Sequence, residues 1–590
     1  MIARVLPEGP IDKTFDYLVP EDLRDQVHVG TRVRVTLHGR RIGGWVVEVG
    51  TEPPAGVSLK PLAKVTGHGP SAELLDLAGW AAWRWAGRRS QLLATASPPA
   101  AVRTLPRLPV PDGDGRRPDD DLDAPADPWI ADGLSLERGV LRLGPLADRY
   151  PLVAAAVASA LGRGGQVLVL CPTVGEAARL GRRLQRADVI TAMVADHDRP
   201  PRQVAGEWAR AVAGATAVIG SRAAAWAPAA NLVQAVVLDE HDDGYQQEQA
   251  PTWHARDVVA ERCRRAGARC LLVSPCPSLE ALAWGELVAP DRLAERAQWP
   301  SLEVVDRRDE EPGRAGLYAP RLVELLRGDG HVVCVLNRAG RAKLLACTAC
   351  GELARCDRCG AAVAQPRPGV LQCRRCSTER PEVCLHCGAT RFKNLRVGVT
   401  RAREELEALV GEPVQEVAAG SAEAITARVV VGTEAVLHRA DRADTVAFLD
   451  VDQELTAYRY RTVEQALGLL ARASRLLRAG RGRLLVQTRQ PGNLVLAAVA
   501  HADPGRVAVA ELPMRAAMRF PPTHALAVVS GAAAAAFVDA LGRPKDVEVL
   551  GPTDGRWLLR AENHQTLCDA LAATPRPTGR LRIEVDPLGI

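Results

Sequence analysis

Apolar and polar positions follow two different rhythms along the chain. Near the N-terminus, Arg32 to Leu37 read RVRVTL, so that every second residue is apolar, and Ile42 to Val49 form a second apolar run. This alternation predicts two strands, and Gly39 between them predicts a hairpin turn. The Leu- and Trp-rich stretch 71–88 instead repeats its apolar residues at helical spacing. The pattern therefore predicts a small β-rich domain with an amphipathic helix over residues 1–100.

Apolar runs alternate with helical stretches from residue 134 onwards. Two sets of strands are predicted, at 166–170, 217–219 and 235–238, and at 332–336, 428–431, 445–449 and 483–487, with helices such as 175–185 and 253–266 between them. Such alternation is typical of parallel sheets covered by helices. We therefore expect an α/β multidomain protein: one α/β lobe over 134–300, a second over 301–346 and 391–494, and an α+β domain over 495–590.

The stretch 101–133 interrupts this pattern. Six prolines lie between Leu105 and Pro128, seven aspartates lie between Asp112 and Asp127, and apolar periodicity is almost absent. Such a composition cannot bury enough apolar surface to fold. We interpret the stretch as a linker.

Overall composition adds mainly exclusions. With 590 residues, 47% hydrophobic and 25% charged, the chain resembles a globular protein of several domains. It contains no run of 18 apolar residues, and its first residues lack the features of a secretory signal. The expectation is a cytoplasmic protein without a membrane partner. The formal charge of +5 falls to about +1 if eight cysteines bind two zinc ions as thiolates, so net charge does not indicate a polyanionic partner.

Four CxxC pairs within 41 residues are the strongest chemical signal. They are Cys347 and Cys350, Cys356 and Cys359, Cys373 and Cys376, and Cys384 and Cys387. Eight thiolates complete two tetrahedral Zn²⁺ sites, and four thiolates per ion leave no open catalytic position. Disulfides are the alternative, which a cytoplasmic location disfavours. We therefore predict a structural two-zinc insertion over 347–390. Five arginines among the ligands either contact phosphates or offset the thiolate charge: Arg355, Arg358, Arg374, Arg375 and Arg380.

Several short motifs accompany the cysteine array. They are TFDYLVPE at 14–21, GSRAAAWAP at 220–228, DEHDDGYQQEQAPTWHARDV at 239–258, LNRAG at 336–340, FLDVD at 448–452, LLVQT at 484–488, MRFPP at 518–522 and LRIEVDP at 581–587. In their order and with this cysteine spacing, they resemble the bacterial replication restart protein PriA family, also called primosomal protein N-prime, in its short actinobacterial-type form. The resemblance covers nearly the whole chain except the linker.

This resemblance implies a function in DNA replication and repair. The family comprises superfamily 2 DNA helicases, with two RecA-like lobes, that recognise stalled or abandoned forks and reload the replicative helicase. The implied partners are forked and single-stranded DNA, single-stranded DNA-binding protein, and the replicative helicase or its loader. The implied location is the cytoplasm, in association with the nucleoid. In the family arrangement the first and last CxxC pairs share one zinc ion, and the two middle pairs share the other.

The N-terminal domain of the family holds the terminal nucleotide and free 3′-OH of a nascent leading strand. The matching positions here are Phe15, Asp16, Gly39 and Lys60. Phe15 would stack on a base, and Asp16 would accept a hydrogen bond from the hydroxyl. Gly39 would permit close backbone approach, and Lys60 would meet a phosphate.

The motifs of the ATP site are altered. Residues 143–150, LGPLADRY, contain neither the lysine nor the hydroxyl residue of a phosphate-binding loop, and Leu238 falls where a metal-binding acid is expected. Asp239, Glu240, Arg475 and Arg478 are interpreted as remnants of the site. The family's winged-helix domain is also missing. These changes argue against bound ATP and Mg²⁺ and predict a fork-recognition and primosome-assembly protein without helicase activity.

Two alternatives stay open at this stage. The first is an active ATP-dependent 3′-to-5′ helicase whose unconventional site uses residues such as Arg149 in place of the missing lysine. The second is an interaction scaffold whose zinc module binds other proteins.

Overall fold

The computed structural model describes residues 1–52, 58–108, 127–194, 199–309, 317–336, 345–373, 376, 378–394, 399–418 and 424–590. Most of the predicted linker (109–126), residues 337–340 of the LNRAG motif, and Arg374 and Arg375 lie outside these ranges. The described residues form two parallel α/β lobes, an antiparallel sheet at each end of the chain and a cysteine-rich insertion in the second lobe. The predicted α/β multidomain class is confirmed.

Five antiparallel strands form the N-terminal domain: β1 (Ile2–Pro7), β2 (Phe15–Leu18), β3 (Arg32–Leu37), β4 (Arg40–Val49) and β5 (Lys64–Gly67). Their order is β2-β1-β4-β3-β5. Val35 is buried whereas Arg34 before it is exposed, as the alternation predicts. The sheet curls because Leu18 bridges to Pro61 and the Ala63 N–H donates to the Arg34 carbonyl at 3.0 Å. These contacts link the two outer strands into a small barrel.

Helices α1 (Ala72–Arg84) and α2 (Arg89–Ala96) cover one end of this barrel. Beneath them Trp45 is buried, and its indole N–H donates to Ser97 Oγ at 2.8 Å. Helix α1 begins at its N-cap Ser71 and ends at Arg84, since Ala86 has a φ of +44°. The helix predicted over 71–88 is therefore present but shorter at its C-terminal end. The adjoining Trp85 packs in the core rather than facing solvent.

The first lobe is a seven-stranded parallel sheet in the order β12-β6-β11-β10-β7-β9-β8. Strand β7 is buried along its whole length, which explains its uninterrupted apolar sequence. The elements are α3 (Pro128–Ser135), β6 (Arg138–Arg142), α4 (Tyr150–Gly162), β7 (Gln166–Leu170), α5 (Val174–Arg186), β8 (Thr191–Met193), α6 (Pro201–Val212), β9 (Ala217–Gly220), β10 (Leu232–Leu238), α7 (Ala255–Ala266), β11 (Arg269–Ser274), α8 (Leu279–Trp284), β12 (Glu286–Val288) and α9 (Arg292–Ala297).

The second lobe is a six-stranded parallel sheet in the order β13-β23-β22-β14-β21-β20. It begins with β13 (Ser301–Asp306), α10 (Pro320–Leu326) and β14 (Val332–Val335). The insertion follows, with β15 (Leu345–Cys347), β16 (Val363–Arg367), β17 (Val370–Cys373), β18 (Glu379–Pro381) and β19 (Phe392–Asn394). The lobe resumes with α11 (Val399–Val410), β20 (Gln415–Val417), β21 (Val429–Gly432), α12 (Ala435–Arg439), β22 (Thr445–Phe448), α13 (Asp452–Leu455), α14 (Thr462–Ser474) and β23 (Arg483–Thr488).

Two further helices, α15 (Leu494–Ala500) and α16 (Gly505–Met518), follow the second lobe, and Val495 and Val499 of α15 belong to its core. The last sheet has the order β25-β26-β24-β27. Its elements are β24 (Ala525–Ser530), α17 (Ala534–Leu541), β25 (Val547–Thr553), β26 (Arg556–Ala561), α18 (His564–Ala573) and β27 (Arg582–Val585). The N-terminal domain contacts the C-terminal region, because Arg84 of α1 forms an ion pair with Asp586 at 2.6 Å.

Within the described ranges, no helix combines the length and the apolar character needed to cross a bilayer. Helix α16, for example, has 14 residues, whereas a helical span needs about 20.

Candidate functional sites

The eight cysteines of the insertion lie in two groups of four. The outer tetrad is Cys347, Cys350, Cys384 and Cys387, and the inner tetrad is Cys356, Cys359, Cys373 and Cys376. Within each tetrad the sulfur atoms lie within 4.8 Å of one another. The sulfur pairs 347–387 and 350–384 are 3.6 Å apart, and the pairs 356–376 and 359–373 are 3.4 and 3.5 Å apart. A zinc ion with Zn–S bonds of about 2.3 Å holds its sulfurs about 3.8 Å apart, so both tetrads fit such an ion.

Glycines shape the turns that present these sulfurs. Gly351, Gly360 and Gly388 directly follow the second cysteine of three CxxC pairs and have φ values of +75°, +72° and +75°. In each turn the glycine N–H donates to the carbonyl of the first cysteine at 2.9–3.0 Å. Because this left-handed conformation favours glycine, the CxxCG pattern is a sequence signal for the turn that the CxxC spacing alone does not carry.

The thiols of the tetrads differ in acidity. Burial raises the pKa of the Cys350 thiol to about 12 and also raises the pKa of Cys359. Burial acts in the same direction on Cys376, but hydrogen bonds from Thr378 outweigh it and lower the pKa of Cys376 to about 6. Four thiolates in one group repel one another, and a bound divalent metal ion offsets half of their charge.

Backbone contacts hold the insertion against the second lobe. The Ala362 N–H donates to the Thr456 carbonyl at 2.8 Å. Arg489 of the lobe donates to the Arg307 carbonyl at 2.8 Å and to the Gly351 carbonyl, in an outer-tetrad turn, at 3.4 Å. The two tetrads are therefore anchored to the second lobe.

The arginines among the ligands have different surroundings. Arg380 is buried and donates to the Arg355 carbonyl at 2.9 Å, which gives it a structural role. Arg358 is exposed and faces solvent. Arg358 is thus better placed than Arg380 to contact a phosphate.

The residues proposed for the 3′-end pocket lie on the N-terminal barrel. Phe15 and Asp16 are neighbours at the start of β2, and the Leu18 N–H of the same strand donates to the Lys60 carbonyl at 3.0 Å. Gly39, with a φ of +78°, lies in the turn between β3 and β4, where an added Cβ would meet no atom within 4 Å. The structure therefore places Phe15, Asp16 and Lys60 on adjacent segments and Gly39 in an open hairpin turn.

Asp16 is held by an ion pair across two strands. Arg4 of β1 donates from Nε to Asp16 Oδ1 at 2.9 Å and from Nη1 to Glu48 Oε2 at 2.7 Å. The Asp16 side chain keeps an exposure of 12%, and a carboxylate has about four acceptor positions, so it can still accept a hydrogen bond from a hydroxyl. Phe15 packs partly against the barrel core, which leaves part of its ring for stacking.

Several N–H groups of the segment 143–150, where the resemblance places the phosphate-binding loop, are already bonded within the protein. The Gly144 N–H donates to the Gln298 side-chain oxygen at 2.7 Å, and the Leu146 N–H donates to the Gln298 carbonyl at 3.1 Å. The Ala147 N–H donates back to the Gly144 carbonyl at 3.2 Å, and Pro145 has no N–H at all. Phosphate binding at such a loop requires these donors, and here they are already satisfied.

Asp239 lies at the centre of the cleft between the lobes, directly after β10. Its Oδ2 accepts from Arg149 Nη2 at 2.5 Å, and its Oδ1 accepts from Arg475, which caps α14 of the second lobe. Arg149 also pairs with Glu176 at 2.6 Å. Both carboxylate oxygens of Asp239 are thus engaged by arginines from opposite lobes.

A second set of contacts crosses the cleft beside the first. Arg472 of α14 pairs with Asp242 of the first lobe at 2.5 Å and also with Glu434. Burial opposes ionisation of Asp242, but Arg472 outweighs it and lowers the pKa of this carboxyl. Arg149, Glu176, Asp239, Asp242, Arg472 and Arg475 together form what we call the inter-lobe lock. The cavity left beside them measures about 110 Å³, whereas ligand pockets usually span about 300–1,000 Å³.

Helix α14 approaches the first lobe closely at Gly468, one turn before Arg472. A Cβ added to Gly468 would lie 2.8 Å from the His241 ring. Arg472 was not among the predicted remnants. The sequence indicates that Arg472 accompanies Arg475, because a spacing of three residues places both arginines on one helix face.

The other two predicted remnants have different surroundings. Glu240 is fully buried and accepts from the Ser278 N–H at 2.7 Å, the Ser278 hydroxyl at 2.8 Å and Arg256 at 3.0 Å, all within the first lobe. Arg478 is half-exposed and pairs with Asp444 at 3.4 Å, within the second lobe. The structure therefore brings together Asp239 and Arg475 and leaves Glu240 and Arg478 outside the lock.

Fold and sites define a class of protein: a body of two parallel α/β lobes, with two Cys₄ centres and a small N-terminal β-barrel. The comparisons with known proteins confirm the resemblance to replication restart protein PriA. Residues 4–98 match the family model of the PriA 3′ DNA-binding domain.

Curated relatives extend this match over the chain. The probable replication restart protein PriA of Mycobacterium tuberculosis (strain CDC 1551 / Oshkosh) is 29% identical and covers 92% of this chain and 89% of its own. Replication restart protein PriA of Bacillus subtilis (strain 168) is 26% identical over 53% of this chain and 43% of its own. Among solved structures, the helicase MrfA bound to DNA covers 68% of this chain and 55% of its own, at 12% identity and a TM-score of 0.39, too low to support an argument about this chain.

We expect the purified protein to carry two zinc ions. Replacing Cys356 with serine should remove the inner ion and leave the outer one, because the two tetrads share no ligand. Metal analysis by mass spectrometry checks the stoichiometry. Cys568→Ser is the matched control: this buried cysteine lies outside both tetrads and donates to the Arg84 carbonyl, a bond that serine can replace, so the variant should keep two ions. One ion or none in the parent protein would contradict the assignment.

Asp239→Asn should destabilise the body. The change leaves the largely buried Arg475 without its counter-charge and leaves Arg149 with Glu176 alone, a loss of about 3–5 kcal/mol in the free energy of unfolding. Because the pKa of Asp242 is lowered in the folded state, the contribution of its pair is present at neutral pH and is lost only as the pH falls below about 3.8. Urea unfolding of the parent protein and of Asp239→Asn at pH 7 measures the loss in the free energy of unfolding. Asp441→Asn is the control, since its ion pair with Arg179 is exposed and should contribute less than about 1 kcal/mol.

Proposed function

We propose that this protein recognises stalled or abandoned replication forks through the 3′ end of the nascent leading strand and nucleates the primosome that reloads the replicative helicase. In this proposal it does not unwind DNA itself. The match to the PriA 3′ DNA-binding domain and the relatives along most of the chain support the first part. The observation that carries the second part is Asp239, whose two carboxylate oxygens are both bound to arginines.

ATP hydrolysis in this fold needs groups that the lock uses for another purpose. A magnesium ion requires a free carboxylate, and phosphates require free N–H donors and a cation at the loop. Here Asp239 is occupied, Arg149 is held by two acids, and Gln298 satisfies the loop. Nucleotide binding would have to break these contacts first, so the geometry favours a body that stays closed without ATP.

The body then serves as a scaffold that fixes its DNA-binding and partner-binding parts. The first lobe shares one core with α1 and with the C-terminal sheet, and the second lobe carries the two tetrads. Forked and single-stranded DNA are the ligands that this proposal requires. Single-stranded DNA-binding protein and the replicative helicase or its loader are the protein partners.

One observation favours an additional role for the zinc module in protein binding. Leu385, within the last CxxC pair, is 62% exposed, and Val383 beside it is 37% exposed. Apolar side chains held on a rigid turn suit contact with a protein rather than with phosphates. In this second proposal, the outer tetrad presents a docking point for a primosome component.

The proposal predicts no DNA-stimulated ATP hydrolysis above background, even with saturating forked DNA, and no unwinding of the lagging-strand duplex. The reason is that the carboxylate and the loop donors needed for Mg²⁺ and phosphate are already engaged. Phosphate release measured with and without DNA tests this expectation.

An Arg475→Ala variant identifies a contaminating enzyme. Turnover that persists unchanged in this variant comes from a contaminant, whereas robust turnover that the variant abolishes would support the active-helicase alternative and contradict the proposal.

Replacing Asp16 with alanine should weaken binding to a fork with a free 3′-OH about tenfold to a hundredfold. A hydrogen bond to a charged group contributes about 1.5–3 kcal/mol, and a 3′-blocked end cannot donate it, so binding to a blocked fork should stay unchanged. Fluorescence anisotropy with the two forks measures both affinities.

Glu48→Ala is the matched control for this experiment. Glu48 is the other acid bound to Arg4, so its removal disturbs the same ion pair without removing the proposed hydroxyl acceptor. Glu48→Ala should therefore bind both forks like the parent protein. Equal losses on the two forks for Asp16→Ala would assign Asp16 a purely structural role.

A further inference from the structure

We propose that Arg34, Arg41 and Lys64 form a second DNA contact, which binds the phosphate backbone of the duplex behind the 3′ end. We call these three residues the basic face. The inference rests on the proposed function, because it extends DNA binding from the 3′-end pocket to a neighbouring surface of the same barrel.

Strand register places the three side chains on one outward face. Arg34 pairs with Lys64 across β3 and β5, and Thr36, two residues along β3, pairs with Arg41 of β4. Residues paired directly across antiparallel strands project to the same side, and so do residues two apart on one strand. The inward positions between them, such as Val35, belong to the barrel core. All three basic side chains are exposed.

These charges have no acidic counterpart among the described residues. No carboxylate in the described ranges forms an ion pair with Arg34, Arg41 or Lys64. Two other outward arginines of the barrel differ: Arg4 pairs with two acids, and Arg32 pairs with Glu8 at 2.9 Å. Like charges directly opposite each other in a sheet are unfavourable, so the Arg34–Lys64 pair opposes folding unless an anion binds to it.

The basic face continues from the proposed 3′-end pocket. The Lys60 carbonyl is bonded to Leu18 of β2, and three residues later the Ala63 N–H is bonded to the Arg34 carbonyl of β3. The segment 60–64 therefore crosses from the strand of Asp16 to the strand of Arg34. A DNA strand whose terminal nucleotide lies at Asp16 and Lys60 would have its preceding phosphates within reach of Lys64, Arg34 and Arg41.

Helices α1 and α2 leave this part of the barrel open. They cover the neighbouring positions of the same outward face, where Trp45 pairs with Arg32 and is buried. Gly43, opposite Arg34, adds no side chain, although the Glu8 carboxylate lies over it. The exposed part of the face is thus polar and carries three basic side chains, and the nearby Glu8 is already paired with Arg32, which suits a sugar-phosphate backbone rather than an apolar protein segment.

The test uses salt dependence, because each phosphate neutralised by a basic residue adds about 0.9 to the slope of log affinity against log salt. In the Arg34→Gln/Lys64→Gln double variant of the full chain, the slope for forked DNA should fall by about 2. Affinity should fall to a similar extent for forks with a free or a blocked 3′ end, since phosphates are present in both.

A matched pair elsewhere controls for total charge. Arg543 and Lys545 follow α17 and are both exposed, so Arg543→Gln/Lys545→Gln removes the same two charges outside the barrel. This variant should keep the parental slope. Arg34→Lys should also keep it, because the contact depends on charge, and zinc content with thermal unfolding checks that each variant is folded.

The possible outcomes separate this inference from the proposed function. An unchanged slope in the folded Arg34→Gln/Lys64→Gln variant, with the 3′-OH preference intact, would overturn the basic face and leave the proposed function standing. Equal slope losses in the Arg543→Gln/Lys545→Gln control, or loss in Arg34→Lys, would also overturn it. A parent protein that binds forked DNA without any preference for a free 3′ end would instead contradict the proposed recognition of that end.

Discussion

The ion pairs of Asp239 with Arg149 and Arg475 are the interaction on which the arrangement of the body depends. One largely buried carboxylate pairs with two arginines that come from opposite lobes. Removing its charge leaves Arg475 buried and unpaired and Arg149 with Glu176 alone, which is far more costly than breaking a surface pair. This mutual dependence gives a physical reason for acidic and basic residues at the cleft between the lobes.

Ion pairs across the cleft hold the two lobes against each other. Arg472 and Arg475 of the second lobe connect it to Asp242 and Asp239 of the first lobe through side chains of the protein itself. The insertion and the N-terminal barrel are attached to opposite lobes. In the proposed function, the lock therefore sets the distance between the part that reads DNA and the part that meets other proteins.

Sequence patterns predicted the features that depend on local spacing. The alternation at Arg32–Leu37, the uninterrupted apolar run of β7 and the four CxxC pairs each correspond to an element or a tetrad of the structure. Such patterns do not predict contacts between residues that are far apart in the sequence. Arg475 and Asp239 are separated by 236 positions, and neither has a local signal that identifies its partner.

The remnants of the ATP site show the same limit. The resemblance placed Asp239, Glu240, Arg475 and Arg478 in one site, because the matching residues of the family act together. Packing decides which of these residues are in contact. Glu240 is bound within its own lobe by Ser278 and Arg256, and Arg478 lies beyond the end of α14, against Asp444. Arg472 joins the lock because it is one helical turn from Arg475, which becomes evident once α14 is placed against the first lobe.

Calorimetric titration of the full chain with ATP and Mg²⁺ tests most directly whether the lock has replaced the nucleotide. We expect no binding heat at millimolar ATP, with or without forked DNA, because both oxygens of Asp239 and the N–H donors of Gly144, Leu146 and Ala147 are already engaged. Saturable binding with a micromolar Kd, weakened by Arg475→Ala, would contradict it.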